Sequence, residues 1–314
     1  MNNIAVGAQA QPQRVRIRLK RLTLFDVVVL FFATLAGLIT IYPMWYVIIM
    51  SLSDPIYASG SKVTLWPIGF YLGSYSVVLR EMQFWISMRN SVLYVLIGTV
   101  LMLVTTMMVA YPLTRPNLKG RKACVVFLLI PMYFSGGMIP SFIIITQLGL
   151  YNTPWATILP ASYGIWNIIL CKTFLQAIPH ELAEAAYIDG ASNYQALSRI
   201  YLPLAKPVLA VISIYTVVGV WNSWFGAKLY QTNANIQPVQ LYLQKLLIEQ
   251  SLNINKMIEQ NMTEDMIRAL NMRAISARQL KYSMIVVVTL PILLVYPMFQ
   301  KHFVKGVMLG SLKG

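Results

Sequence analysis

Six long apolar segments, separated by short polar ones, constrain the fold of this chain more than any other feature of its sequence. A helix needs about 20 mostly apolar residues to cross the roughly 30 Å hydrocarbon core of a bilayer. The segments are residues 23–50, 84–113, 123–146, 154–175, 207–227 and 283–303. Only 11% of the residues are charged, against roughly 25% in soluble domains. We therefore predict an all-α, polytopic membrane protein with six transmembrane helices.

Basic residues predict the orientation of these helices, because Lys and Arg concentrate in cytoplasmic loops. They cluster before the first segment, between the second and third, and after the sixth: Arg14, Arg16, Arg18, Lys20 and Arg21; Arg115, Lys119, Arg121 and Lys122; Lys301, Lys305 and Lys313. We expect residues 1–22 to form a basic cytoplasmic tail, residues 23–314 to form the transmembrane domain, and both termini to be cytoplasmic. Contact with anionic lipid explains the net charge of +15 better than nucleic-acid binding does.

The loop over residues 178–206 then also lies in the cytoplasm, and its sequence predicts a pair of short helices. Glu181 and Glu184 suit a helix N-terminus, and Gly190 suits a left-handed C-terminal cap. Ser192 and Gln195 have the spacing of a capping box that opens a second helix. Local signals alone favour an ordinary amphipathic helix pair lying on the membrane over a contact surface for another protein.

The same loop contains a specific pattern of residues between the fourth and fifth segments. The pattern comprises Glu184, Ala185, Ala186, Asp189, Gly190, Ile200, Leu202 and Pro203. It resembles the EAA loop of bacterial ABC-importer permeases. The resemblance implies that this loop couples movements of separate ATPase subunits to the transmembrane helices.

Further motifs extend the resemblance from about residue 23 to the C-terminus. They are the residue runs 51–55, 84–85, 90–91, 275–278 and 303–314. The chain is similar to the carbohydrate-uptake permeases, which include the maltose-importer permease, and within them to a subgroup for complex oligosaccharides and polysaccharides of the alginate or pectin type. The resemblance implies a multi-pass protein of the bacterial inner membrane. It also implies a second homologous permease, two ABC ATPases that bind ATP and Mg²⁺, and an extracytoplasmic sugar-binding protein.

Several motifs of other functions do not occur in the sequence. It contains no G-x-x-x-x-G-K-[ST] phosphate loop and no H-E-x-x-H or G-x-S-x-G pattern. We therefore expect a transport subunit without catalytic residues, metal site or cofactor of its own. An ion-coupled secondary sugar transporter is the alternative, although such carriers commonly place carboxylates inside the membrane, whereas Asp26 lies near the end of a segment.

Aromatic and amide residues in the fourth and fifth segments are candidates for the saccharide path. They are Tyr163, Trp166, Asn167, Tyr215, Trp221, Asn222 and Trp224. Aromatic faces suit sugar rings, and amides suit hydroxyl groups. The alternative is that the aromatic residues form the interfacial belt and that the amides bond to neighbouring helices.

A long loop over residues 228–282 is expected on the extracytoplasmic side, where it would meet the binding protein. Its basic residues outnumber its acidic ones: Lys245, Lys256, Arg268, Arg273, Arg278 and Lys281 against Glu249, Glu259, Glu264 and Asp265. This excess favours an acidic saccharide such as a uronate chain, although some of these charges pair along helices.

Overall fold

The computed structural model describes residues 23–59, 62–179, 181–258, 279–295 and 297. These residues are largely helical, and the isolated β-bridge recorded among them joins Ser53 to Phe70. The helices are α1 Leu24–Leu52, α2 Pro55–Ser59, α3 Gly73–Arg80, α4 Met82–Ala110, α5 Arg121–Tyr133, α6 Met138–Gln147, α7 Trp155–Ala161, α8 Ile165–Gln176, α9 Glu181–Ile188, α10 Asn193–Ala196, α11 Leu202–Leu204, α12 Lys206–Trp221, α13 Phe225–Tyr230, α14 Val239–Ile258 and α15 Gln279–Val295. Short 3₁₀ helices cover Pro112–Thr114 and Ala234–Ile236, and a π-helical turn covers Leu197–Tyr201.

The chain divides into two compact units, Met1–Tyr46 and Val47–Gly314. In the described part of the first unit, α1 exposes apolar side chains on nearly its whole circumference. A helix that is apolar all round suits a lipid or protein environment and not water.

By length and composition, three helical stretches of the described chain can cross a membrane, namely Leu24–Leu52, Met82–Thr114 and Trp155–Gln176. Two bent helix pairs raise the number to five if each pair counts as one span. The six transmembrane helices predicted from the sequence are thus reproduced in part. The sixth predicted segment, residues 283–303, overlaps the shorter α15, and its residues 296 and 298–303 lie outside the described residues.

The third predicted segment, residues 123–146, is two helices and not one. The axes of α5 and α6 differ by 113°. Pro131 has no backbone N–H to donate within α5, and Gly137 has φ +87°, a conformation that favours glycine. A proline followed by a glycine with positive φ accounts for the break inside an otherwise apolar run.

A second bend of 74° separates Asn193–Leu204 from Lys206–Trp221. Pro203 lies near the end of the continuous helical stretch Asn193–Leu204. Pro207 lies in the first turn of α12, where its missing N–H group costs least. Neither proline can continue the hydrogen-bond ladder of the helix before it. The chain therefore changes direction between the predicted coupling loop and α12.

The helix α4 occupies the centre of the second unit and packs against both α8 and α12. Its C-terminal half contributes Met107 and Ala110 to a buried cluster that also contains Cys171 and Ile212. Its N-terminal half contributes Phe84 and Val95 to another cluster, with Val217 and Met284. With 29 residues, α4 is about 43 Å long and connects both clusters.

Polar side chains at the N-terminal end of α4 hold the segment over residues 231–239. The Asn90 amide donates to the carbonyl oxygens of Asn235 at 2.8 Å and Gln237 at 3.2 Å. The Tyr94 hydroxyl donates to the Ile236 carbonyl at 2.5 Å, and the Ser91 hydroxyl accepts from the Val239 N–H at 2.8 Å. Residues 90 and 91, which belong to the motifs of the resemblance, thus satisfy backbone groups of a distant segment.

The motif over residues 51–55, at the end of α1, also forms hydrogen bonds to distant segments. The Ser51 and Tyr75 hydroxyls are 2.6 Å apart, and the Ser53 hydroxyl accepts from the Ile68 N–H at 3.2 Å. The Gln279 amide donates to the Ser53 carbonyl oxygen. These bonds connect the residues at the end of α1 to the residues before α4 and to the start of α15.

Candidate coupling segment and translocation cavity

The helix α9 ends in the left-handed glycine that the sequence predicts. Gly190 has φ +81°. Its N–H donates to the Tyr187 carbonyl at 3.0 Å, and the Ala191 N–H donates to the Ala186 carbonyl at 2.9 Å. These two bonds form a Schellman motif, which satisfies carbonyl groups at the end of a helix. The turn after α9 therefore has one defined geometry.

The helix α10 begins with the predicted capping box. The Ser192 hydroxyl accepts from the Gln195 N–H at 3.3 Å, and the Gln195 side chain accepts from the Ser192 N–H at 2.7 Å. This pair of bonds satisfies two backbone donors that the helix itself leaves unpaired. The predicted order of helix, glycine turn and helix is therefore present, and α10 continues through the π-helical turn into α11.

The residues of the EAA-like pattern lie mostly on the accessible side of this segment. Glu184, Ala185, Asp189, Gly190, Leu202 and Pro203 are exposed, and Ala186 and Ile200 are partly buried. By contrast Ala183, just before the pattern, is 2% exposed and packs into the cluster at the C-terminal end of α4. One face of α9 thus contacts the transmembrane helices, and the small residues Ala185 and Ala186 remain accessible to another protein.

Hydrogen bonds hold Asn193, the first residue of α10, to α9 and to the residue that directly follows α4. The Tyr187 hydroxyl bonds to Asn193 Oδ1 at 2.9 Å, and the Tyr111 hydroxyl donates to the Asn193 carbonyl at 3.1 Å. A groove of about 720 Å³ lies between the residues after α4 and the helix α9, with Arg115 on one side and Glu184 on the other. The predicted coupling segment and the basic loop at residues 114–122 therefore lie at the same end of α4.

A cavity of about 270 Å³ brings together three of the predicted path residues. Tyr163, Asn167 and Tyr215 line it, together with Ser223 and Met102. Tyr163 and Tyr215 are 62% and 60% exposed, and the Asn167 amide contacts the Met102 sulfur at 3.4 Å. The cavity therefore combines two accessible aromatic rings with an amide and a hydroxyl group, which is the chemistry that a saccharide needs.

The other four predicted path residues do not line this cavity. Trp166 is exposed elsewhere, and Trp221 is 4% exposed within the cluster at the N-terminal half of α4. The Asn222 side chain accepts from Gln240 at 3.5 Å. Trp224 is a partner of Lys228, whose ammonium lies 5.8 Å from the ring centroid.

The predicted set of path residues omits other residues that line the cavity, among them Thr216 and Gly219. Tyr215, Gly219 and Ser223 follow one another at intervals of four residues, the spacing of one helix face. Ser223 lies just beyond the end of α12, and the spacing indicates a shared face without showing that this face borders a cavity. A second cavity of about 710 Å³ shares Thr157, Tyr163 and Ser223 with the first, so the lining continues toward α6 and α13.

The basic excess predicted for residues 228–282 lies largely outside the described residues. Among the side chains that the structure describes, the Lys245 ammonium donates to the Gln237 side chain at 2.7 Å, and Lys281 lies in α15. Lys245 therefore stabilises the segment before α14.

Comparison with known proteins shows similarity over most of the chain. The family described as binding-protein-dependent transport system inner membrane component matches residues 121–309. Protein LplC of Bacillus subtilis (strain 168) is 38% identical over 292 residues, which cover 92% of this chain and 95% of that protein. The polygalacturonan/rhamnogalacturonan transport system permease protein YtcP of the same organism is 35% identical over 291 residues, which cover 93% of this chain and 99% of that protein.

A solved structure has a similar fold. It is the crystal structure of a bacterial ABC transporter involved in the import of the acidic polysaccharide alginate. One of its chains superposes with a TM-score of 0.78 and 31% sequence identity, over 89% of this chain and 96% of that chain. The likeness thus extends well beyond the residues that the family matches.

Proposed function

The chain belongs to the family of binding-protein-dependent transport system inner membrane components, and we propose that it forms part of the membrane path of an importer of acidic oligo- or polysaccharides. It is a permease subunit of an ABC transporter and not an enzyme. The observation that carries the proposal is the likeness over 89% of the chain to a subunit of an alginate importer. The relative named for polygalacturonan and rhamnogalacturonan supports the same class of cargo. The ion-coupled alternative has no support from these relatives.

The importer contains further subunits in this proposal. A second, similar permease encloses the path together with this chain, and two ATPase subunits bind ATP and Mg²⁺. A soluble binding protein delivers the saccharide, in agreement with the description of the family. The accessible aromatic rings of Tyr163 and Tyr215 suit a path that a second subunit completes.

Coupling takes place through α9 and α10. An ATPase subunit contacts the exposed Glu184 and Ala185 and the partly buried Ala186. The buried Ala183 transmits the displacement of α9 to the cluster at the C-terminal half of α4. The contact segment also includes Asp189, Gly190, Ile200, Leu202 and Pro203. ATP favours the closed pair of ATPases, and a ligand shifts an equilibrium only by its difference in affinity for the two states. Closure thereby moves the transmembrane helices between inward-facing and outward-facing arrangements.

The saccharide path includes the cavity between α4, α8 and α12. Tyr163 and Tyr215 stack on sugar rings, and Asn167 and Ser223 bond to hydroxyl groups. Four other predicted residues remain candidates for contact with the saccharide at other positions of the path, namely Trp166, Trp221, Asn222 and Trp224. Substrate passes unchanged, because the function of this subunit is to bind and release it.

The protein lies in the bacterial inner membrane, and the C-terminal end of α4, near Arg115 and α9, faces the cytoplasm. The basic loop and the coupling segment lie together at that end, and the excess of Lys and Arg there favours the cytoplasmic side. Six transmembrane spans, in which the α5–α6 pair, α12 and α15 each cross once, bring both termini to the same side.

Uptake by the complete importer in proteoliposomes tests the proposal. With ATP on the side of the ATPase subunits and the loaded binding protein on the opposite side, we expect transport of labelled uronate oligosaccharide that persists when ionophores collapse the ion gradients. An excess of unlabelled uronate oligosaccharide should abolish the signal, and neutral oligosaccharides of equal length should not. Uptake that needs an ion gradient and not ATP would contradict the ABC mechanism, and effective competition by neutral sugars would contradict the acidic cargo.

A further inference from the structure

Arg115 lies among three tyrosine rings that come from separate parts of the chain. Its guanidinium carbon is 4.3 Å from the ring centroid of Tyr111, 4.7 Å from that of Tyr201 and 5.6 Å from that of Tyr187. It donates hydrogen bonds to the hydroxyl groups of Tyr111 and, at 3.5 Å, of Tyr201. We name these four residues the Arg115 cluster.

The members of the Arg115 cluster belong to elements that have to move together if α9 transmits force. Tyr111 directly follows α4, Tyr187 is on α9, and Tyr201 ends the π-helical turn before α11. The Tyr111 and Tyr201 rings also meet edge to face at 5.2 Å. Tyr111 and Tyr201 are 6% and 2% exposed, so these two rings are largely shielded from water.

The connection runs from α9 to the cavity through α4. Met102 of α4 lines the cavity and precedes Tyr111 by nine residues, or about 14 Å along the helix. Between them, Met107 and Ala110 pack into the cluster that contains Cys171 of α8 and Ile212 of α12. A displacement of Tyr187 toward or away from the membrane would therefore act on the helix that borders the cavity, independently of the covalent path through α8 or α12.

We propose that Arg115 is a positioning residue for coupling: its stacked guanidinium joins α9 to the end of α4, so that ATPase movement reaches the cavity through α4. Planar guanidinium groups stack on aromatic faces and keep their charge in partly buried sites. A lysine supplies the charge but neither the planar surface nor the fork of donors. The inference rests on the proposed function, because α9 has to receive movement from an ATPase.

Substitution of Arg115 in the complete importer tests the inference. Arg115→Met removes the guanidinium, and Lys119→Met is the matched control, since Lys119 is an exposed cation of the same loop. The measured quantity is the amount of saccharide transported per ATP hydrolysed in proteoliposomes. We expect at least a fivefold fall for Arg115→Met and a change of less than twofold for Lys119→Met. The concentration of loaded binding protein that gives half-maximal ATPase stimulation should stay unchanged for both, because the outer surface is unaltered.

Two further variants keep the inference falsifiable if Arg115→Met does not assemble. Arg115→Lys retains the charge, and Tyr187→Leu removes the ring on the α9 side; we expect each to lower the transport ratio at least twofold in complexes that assemble normally on size-exclusion chromatography. An unchanged ratio in the assembled variants, or full activity with lysine, would overturn the role of the stacked guanidinium. An unsubstituted complex whose ATPase ignores the loaded binding protein would instead contradict the proposed function itself.

Discussion

At the scale of single residues, Asn90 shows how one buried amide determines the conformation of a remote loop. Its side chain is 5% exposed and donates to the carbonyl oxygens of Asn235 and Gln237. A buried carbonyl group that loses its donor costs about 1–3 kcal/mol. Hydrogen bonding within the chain thus gives residues 90–91 a structural role.

Asn90→Leu should lower the free energy of unfolding by about 2 kcal/mol, because two carbonyl groups then lack their donor. Chemical denaturation of the purified complex, followed by tryptophan fluorescence, measures this loss. Asn235→Leu makes the same change of side chain at an exposed position of the contacted loop and should change stability by less than about 0.5 kcal/mol. Equal stability of both variants would contradict the importance of the Asn90 bonds.

Tyr215 is the residue at which the saccharide path is tested most simply. Its ring is accessible and lines the cavity with Tyr163 and Asn167. Tyr215→Ala should reduce saccharide uptake about tenfold, since loss of one good ring contact removes roughly 1–2 kcal/mol. Basal ATPase activity without binding protein should remain, because α9 is unaltered. Uptake and ATPase measurements on the same proteoliposomes distinguish the two effects.

Tyr133→Ala provides the control for Tyr215→Ala. Tyr133 is 73% exposed at the end of α5 and does not line the cavity of Tyr215. Its removal should leave uptake within twofold of the unsubstituted protein. If both variants lose uptake equally, the loss reflects general damage and the cavity has no special role.

At the scale of secondary-structure elements, the coupling segment is more predictable from sequence than the membrane helices. Gly190 and the Ser192–Gln195 capping box determine their geometry through local hydrogen bonds, and such bonds can be recognised from residue spacing. The break between α5 and α6 escapes a prediction based on hydropathy, because an apolar run is equally apolar whether straight or bent. Pro131 and Gly137 are the residues that mark the break.

The cavity illustrates the same limit of prediction. Asn167 and Tyr215 are candidates because of their chemistry, but their proximity in space depends on how α8 and α12 pack against α4. Trp221 has equally suitable chemistry, yet its side chain is buried in the cluster at the N-terminal half of α4. Both faces of α12 are largely apolar, so the sequence alone does not show which face borders the cavity.

Substitutions in α9 and its turn should uncouple ATP hydrolysis from uptake and leave membrane insertion intact. Gly190→Pro cannot adopt φ +81° and removes the N–H that bonds to Tyr187. Glu184→Lys combined with Ala186→Trp reverses a charge on the contact surface and adds a bulky ring to it. We expect uptake to fall at least tenfold while each complex retains at least half of its basal ATPase activity in lipid.

The control for these coupling variants is Gly37→Ala in α1. A methyl group added at Gly37 would meet open space, and alanine is favoured over glycine within a helix by about 1 kcal/mol. Uptake should be unchanged in this variant. Undiminished uptake in the Glu184→Lys and Ala186→Trp double variant would remove the coupling assignment.

At the scale of the whole molecule, the two ends of α4 make an orientation test direct. Asn117 lies beside the coupling segment, and Thr232 is exposed in the segment held by Asn90 and Ser91. In a variant with Cys124→Ser and Cys171→Ala, we expect a membrane-impermeant maleimide to label Asn117→Cys only in inside-out vesicles. Thr232→Cys should be labelled only from the outer side. Labelling of both from one side would contradict the proposed topology.

The ATPase activity of the purified complex in lipid shows whether this permease couples a separate ATPase to delivery by a binding protein. The measurement compares activity without binding protein, with the empty protein, and with the protein loaded with uronate or neutral oligosaccharide. We expect stimulation of fivefold or more by the uronate-loaded protein and little by the other additions. A complex that copurifies with no ATPase, or whose activity is the same under all four conditions, would contradict this coupling.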